Sequence, residues 1–147
     1  MVIDELSEQE CQAVLQRGGI GHLGCCKDGQ PYVVQVLFAY QGGYMYVLST
    51  VGQKIEWLRE NPKTCMTVDE IASETDWTSV IANGVYEELV KPRFNDEREH
   101  AKQLLEKRHH WWQTAFAERQ TKTDEQLIEP ILFRIHVGSV SGLRAHS

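Results

Sequence analysis

"YMYVLSTVGQKIEWLRENP", residues 44–62, decides how this chain is read. A run of aromatic and β-branched residues closes on Leu48, Ser49 and Thr50, crosses Gly52 and becomes an amphipathic helix with Lys54 in its first turn. Thr50 and Gln53 have the spacing of a capping box. That places the helix start near Val51 and aims its first backbone N–H groups back toward the strand end. Gly52 permits close approach, Ser49 and Thr50 bring hydroxyls, and Lys54 brings a full positive charge, which together outline a phosphate site. The plainer reading is that Thr50 and Gln53 only cap the helix while Lys54 stays in solvent. A lysine beside the positive end of a helix dipole is disfavoured, and a bound anion would remove that conflict.

Outward from this junction the chain reads as a meander. Ser7 and Glu10 fit a capping box, with Leu6 and Cys11 as a hydrophobic staple, so a short helix precedes the first strand. Residues 20–26 then read as a strand turned by Asp28-Gly29, a strong hairpin signal. Residues 32–40, "YVVQVLFAY", are apolar on both faces except for Gln35, which suits a central strand covered on two sides; Gly42-Gly43 leads into residues 44–48. After the junction helix, residues 64–71 and 77–90 read as two more strands around the polar loop "ASETD", with Gly84 a bulge or bend in the second. From Asp96, capped with Glu99, the pattern turns helical, with Ala101, Leu104, Leu105, Trp112, Ala115 and Phe116 on one stripe. A polar connection at 118–126 and Pro130 precede a last strand, 131–140, in which Arg134 is expected to pair with a carboxylate. Six strands with few βαβ alternations favour a mainly β, antiparallel barrel over a doubly wound sheet.

Composition narrows the function. The 147 residues suit one domain able to bury a core without disulfides or metal. Lys and Arg number 15 against 21 Asp and Glu, and with no basic run the chain lacks the footprint of a nucleic-acid binder. No apolar stretch is long enough to span a bilayer and no leader is visible, so no membrane partner and a cytoplasmic location are expected. Cys11, Cys25, Cys26 and Cys65 show no metal-binding spacing; Cys25 and Cys26, adjacent in a strand, face opposite ways, and reduced thiols are expected.

Gln35 asks the same question as the junction. An unpaired amide inside an apolar strand costs about 1–3 kcal/mol, so it requires either a structural hydrogen bond or a flat heterocycle whose polar edge it reads. In this order, "GHLGCCKDGQPYVVQVLFAY", "YVLSTVGQKIEWLRENP", "DWTSVIANGVYEEL" and "LFRIHVGSVSGLRA" resemble the FMN-binding split barrels related to pyridoxamine 5'-phosphate oxidase, in the branch that includes nitroimidazole-resistance proteins. The resemblance implies an antiparallel six-stranded split β-barrel of Greek-key type with peripheral helices, forming a homodimer with flavin at the interface. It places the FMN phosphate at Ser49, Thr50, Gln53 and Lys54, the isoalloxazine along Val33, Val34, Gln35 and Val36, and Trp77 and Ser79 near the site. It further implies an oxidoreductase passing electrons from a small-molecule donor such as a reduced nicotinamide to a small acceptor. A flavin carrier or sensor without turnover is the alternative. FAD, a deazaflavin and haem are the alternative cofactors, because related barrels hold them.

Three departures from the relatives stand out: Gln35 where many have proline, Leu48 where many have histidine, and His22 where the first strand often has arginine. Losing the histidine weakens any chemistry assigned to it more than it weakens binding. "HHWW", residues 109–112, suggests haem or metal, but a helical chelate needs histidines three or four residues apart. Trp112 belongs to the apolar stripe and Trp111 falls off it, toward an interface or the flavin edge. His22 reads as a half-buried strand residue. No side chain is assigned a catalytic role.

Overall fold

Two tight turns set the meander. Asp28 and Gly29 both take positive φ, 49° and 80°, and Gly42 and Gly43 repeat this at 60° and 84°; two successive left-handed residues match the twist of the strands they join. The computed structural model describes residues 1–108 and 130–147. These form β1 (Val2–Glu5), α1 (Glu8–Arg17), β2 (Ile20–Lys27), β3 (Gln30–Gln41), β4 (Tyr44–Ser49), α2 (Gln53–Glu60), β5 (Lys63–Ser73), β6 (Asp76–Glu88), α3 (Asn95–Arg108) and β7 (Ile131–His146). The strands run β1-β7-β4-β3-β2-β5-β6, all neighbours antiparallel, and β6 pairs back with β7. Six strands therefore close the expected mainly β barrel. The seventh, β1, was not expected: it is four exposed residues without apolar periodicity, recruited by pairing Val2–Glu5 with Leu143–His146 of a β7 that runs past the expected residue 140.

The barrel interior is packed from both ends. Phe38, Met45, Met66 and Phe133 are fully buried inside it, α1 plugs it with Cys11, Val14 and Leu15, and α2 adds Ile55 and Leu58. Ser7 and Glu10 form the expected capping box, and Leu6 and Cys11 both pack close to Gly142. A second cluster lies outside the wall, where Ala101 and Leu105 of α3 cover Ala39, Tyr46 and Leu132. The second half of β3 is thus covered on both faces. Its first half is not: Val33 is 66% exposed and Gln35 is exposed, which corrects the expectation of a strand covered along its whole length.

Other expectations shift by local causes. The loop "ASETD" shrinks to a two-residue turn because β5 runs to Ser73 and β6 starts at Asp76. α3 starts at Asn95, and its first turn is closed by the Arg98 N–H donating to the Phe94 carbonyl at 2.8 Å. Phe94, packed on the second cluster, fixes that start, so Asp96 lies inside the helix and the expected capping box with Glu99 does not form. Gly84 does mark a bulge: the β6–β7 register slips between Asn83 and Gly84, with Gly138 as the extra residue on β7. Arg134 pairs with Glu87 at 2.6 Å and lies 4.1 Å from the centroid of the Tyr44 ring. The four cysteines are free thiols, with Cys11 and Cys25 buried and Cys26 and Cys65 half-buried. No described helix is long and apolar enough to cross a membrane. Trp112, Ala115 and Phe116, the 109–112 stretch with Trp111, and the connection at 118–126 lie outside the described residues.

Candidate functional site

The split in the barrel comes from one strand changing partner. β3 pairs with β2 from Gln30 to Leu37, but with β4 only from Phe38 onward, because beyond Val47 β4 leaves β3 while continuing to pair with β7 through Leu48 and Ser49. The Phe38 N–H donates to Gly19 at 3.0 Å on the β2 side. Backbone groups alternate direction along an antiparallel strand, so Val34 and Val36 also face β2, whereas Val33, Gln35 and Leu37 turn their N–H and C=O groups toward the gap. No described strand takes them there. The side chains divide the same way: Val36 is buried and Val34 half-buried against the core, while Val33 and Gln35 stand out from the wall. Gln35 is therefore not a desolvated amide seeking a partner; it is an exposed amide beside an open strand edge.

The junction links the two strands that part there. Ser49 lies two residues past Val47, the partner of Phe38, and Trp57 of α2 packs at a tilt against Tyr32 with ring centroids 5.6 Å apart, so residues 49–57 run from the end of β4 to the start of β3. The helix begins at Gln53 with Gly52 as its N-cap and no side-chain cap hydrogen bond. This corrects the expected Thr50–Gln53 capping box and the start near Val51. Instead, the Ser49 hydroxyl donates to the Thr50 carbonyl at 3.1 Å, and the chain bends at Val51 and Gly52, the latter with extended dihedrals, before the helix begins. Gly52, as the N-cap, offers the first turn no side-chain acceptor, and a Cβ on it would meet nothing within 4 Å. Lys54 is half-buried. Its charge acts on Cys25, where burial and then the neighbouring Cys26 and Cys65 push the thiol up and the Lys54 ammonium opposes them.

What holds α2 in place is a set of contacts that sequence reading missed. Arg59 donates to both carboxylate oxygens of Glu88, at 2.8 and 3.0 Å, and the Tyr86 hydroxyl donates to the same carboxylate at 2.7 Å. The Asn61 amide donates to the Cys26 carbonyl at 3.0 Å, and Lys27 pairs with Glu60 at 3.0 Å. All grip the C-terminal end of the helix or the residue after it. Arg59 and Glu88 are 29 residues apart, so no local pattern could have joined them. Trp77 and Ser79 lie elsewhere: half-buried, on the outward face of β6, three strands from β3. One chain does not bring them to the junction.

Comparison with known proteins agrees with this architecture. The sequence pattern of the pyridoxamine 5'-phosphate oxidase family matches residues 7–144. The chain belongs to that family. An uncharacterised protein of Rhizobium meliloti is 42% identical over 114 residues, 77% of this chain and 76% of its own length. The crystal structure of an FAD-binding protein from Mesorhizobium loti is 37% identical, with a TM-score of 0.80 and 100% of this chain and 99% of that one covered. An FAD binding protein from Mycobacterium smegmatis shares 17% identity at a TM-score of 0.67 over the whole of both chains, a likeness of fold.

Within this pyridoxamine 5'-phosphate oxidase family member the three departures occupy different surroundings. Gln35 lies directly across from His22, which in turn faces Thr67, so amide, imidazole and hydroxyl form one outward row. His22 is exposed rather than half-buried as expected. Leu48 packs against the second apolar cluster, with no ionisable group in its place.

Proposed function

We propose that this family member is a homodimeric flavoprotein holding FMN at the junction, and that it is an oxidoreductase drawing electrons from a reduced nicotinamide or similar small donor for a small acceptor. The observation that carries the proposal is a helix start without a side-chain cap, with Lys54 in its first turn, lying beside a strand edge that no described strand covers. A dinegative phosphate there accepts from the first-turn amides, from the Thr50 hydroxyl and from the Ser49 hydroxyl once it turns from the Thr50 carbonyl, and is neutralised by Lys54. Val33 supports the ring, and the Gln35 amide with the edge backbone of β3 offers both donors and acceptors to a pyrimidine rim. The bound flavin would supply the redox chemistry, and the protein's part is to hold and orient it. A homodimer is supported by the outward face, where Val33, Ile20, Ile81 and Leu143 stand 66, 53, 42 and 44% exposed around polar neighbours; a second copy would also bring Trp77 and Ser79 near the bound nucleotide. A second reading, FAD in place of FMN, is favoured by the 37% identical Mesorhizobium relative; the two nucleotides share the phosphate that Lys54 would grip.

The test is purification followed by release and identification of the bound nucleotide. Flavin absorbance supports the proposal, whereas a Soret band or a colourless protein that takes up no flavin refutes it. Lys54→Ala should weaken FMN at least about tenfold more than riboflavin, which lacks the phosphate. Equal losses would place the phosphate elsewhere. Anaerobic mixing with NADH separates an oxidoreductase, whose flavin bleaches, from a carrier, whose flavin stays oxidised.

A further inference from the structure

The β5–β6 hairpin carries a hollow of about 470 Å³ at the far end of the outward face. Its floor is two cross-strand pairs, Asp69 with Ser79 and Ile71 with Trp77, and Ser73 and Glu74 complete the rim. Strand alternation puts Asp69, Ile71, Trp77 and Ser79 on one side of the sheet. The register slips between Ile71 and Ser73, and such a bulge adds local twist where the hollow opens. Neither Asp69 nor Glu74 has an ion pair or hydrogen-bonded side-chain partner among the described residues.

The lining defines the ligand by what it offers and what it lacks. A half-buried indole beside an isoleucine that is 74% exposed gives a flat apolar seat, suited to stacking a heteroaromatic ring. Two carboxylates accept hydrogen bonds and donate none. They match an exocyclic amine or the vicinal hydroxyls of a ribose. No lysine or arginine lines the hollow, so a phosphate is disfavoured. We propose that this hollow binds the adenosine end of a dinucleotide. The inference rests on the flavin reading, in which that end belongs either to FAD as cofactor or to NADH as electron donor. Trp77 and Ser79 then serve a nucleoside, and the carboxylates select against a 2'-phosphate, favouring NADH over NADPH.

The full-length chain, stripped of flavin, is compared with the double variant Asp69→Asn/Glu74→Gln, both positions being exposed. FAD and FMN are titrated by flavin fluorescence, NADH onto the FMN-loaded protein, and adenosine and 2'-AMP directly by calorimetry. Replacing charged acceptors by neutral ones should cost about tenfold in affinity. If the cofactor supplies adenosine, FAD weakens by that factor while FMN does not change; if the donor does, NADH weakens and the ratio of FAD to FMN affinity stays fixed. Adenosine should bind wild type saturably and outcompete 2'-AMP. An unchanged ratio together with unchanged NADH affinity overturns the proposal, as does the absence of saturable adenosine binding to wild type. Wild type that binds adenosine but neither FMN nor FAD would instead overturn the flavin reading and leave this site standing.

Discussion

Replacing Gly84 by alanine adds one methyl group where two strands close most tightly. The new Cβ would press on the carbonyl oxygen of His136, lie 3.0 Å from its carbonyl carbon and sit 2.8 Å from Ile135 Cγ2. Two of those atoms are backbone, and His136 is laddered on one side to Tyr44 and on the other to Val85, so the clash cannot be relieved by a rotamer change. Gly84 does not take a left-handed φ, and alanine there would restrict the unfolded chain, a gain of about 0.4–1 kcal/mol. Against this stand overpacking of about 1–3 kcal/mol and ladder bonds of about 0.5–1.5 kcal/mol each if β7 is pushed away. The net loss is about 1–3 kcal/mol. At about 2–4 °C per kcal/mol for a chain of this size, Tm should fall roughly 2–12 °C. Gly138→Ala is the control, since its nearest atom would be 3.7 Å away, and it should stay within about 0.5 kcal/mol of wild type. Thermal melts with urea titrations measure both. A Gly84→Ala protein melting at or above wild type, or a Gly138→Ala protein losing as much, refutes the reasoning.

Two further outcomes follow from the charges and thiols. The Glu88 carboxyl is held below its ordinary value of 4.5 chiefly by the Arg59 hydrogen bonds, with burial opposing and Tyr86 assisting. Its stabilising effect is therefore complete above that value and lost as pH falls through the depressed one. Between about pH 5 and 3 the urea midpoint of Glu88→Gln should fall less steeply than that of wild type, and parallel slopes would count against the clamp. Burial pushes the Cys11 and Cys25 thiols up, so a thiol reagent should label half-buried Cys26 and Cys65 in the native protein and reach the other two only on unfolding. Four fast-reacting thiols under native conditions would contradict the packing.

What the sequence revealed and concealed divides by range. Asp28-Gly29, Gly42-Gly43 and the Ser7–Glu10 box are local chemistry, and each structure they announced is present. β1 was invisible because four exposed residues carry no periodicity of their own and depend on partners at the far end of the chain, Glu5 pairing with Leu143 and Val2 with His146. The junction was half legible. Its strand, helix and lysine follow from the pattern, but the Thr50–Gln53 spacing suggested a cap that the bend through Val51 and Gly52 does not form. Gln35 was misread for a related reason: an apolar strand looks buried on both faces whether its cover comes from its own chain or from something outside it. The fork of Arg59 on Glu88 left no trace at all in local sequence.

The unformed cap and the hidden fork belong to one piece of energetics. A helix of only eight residues is marginal by itself, and forgoing a side-chain N-cap costs about 1 kcal/mol more. Had Thr50 and Gln53 capped it, the first-turn amides would be partly satisfied and less available to an anion. Instead the hold is moved to the other end, where two charge-assisted hydrogen bonds from Arg59, the Tyr86 hydroxyl and the Asn61 amide fix the helix to β6 and β2, while Ile55 and Leu58 anchor its underside. Clamping one end and buttressing the middle lets the other begin without a side-chain cap and not unravel. Local rules broken at one place and compensated at another are what a ligand-holding turn requires, and here the break lies beside a strand edge that the split of the barrel leaves open.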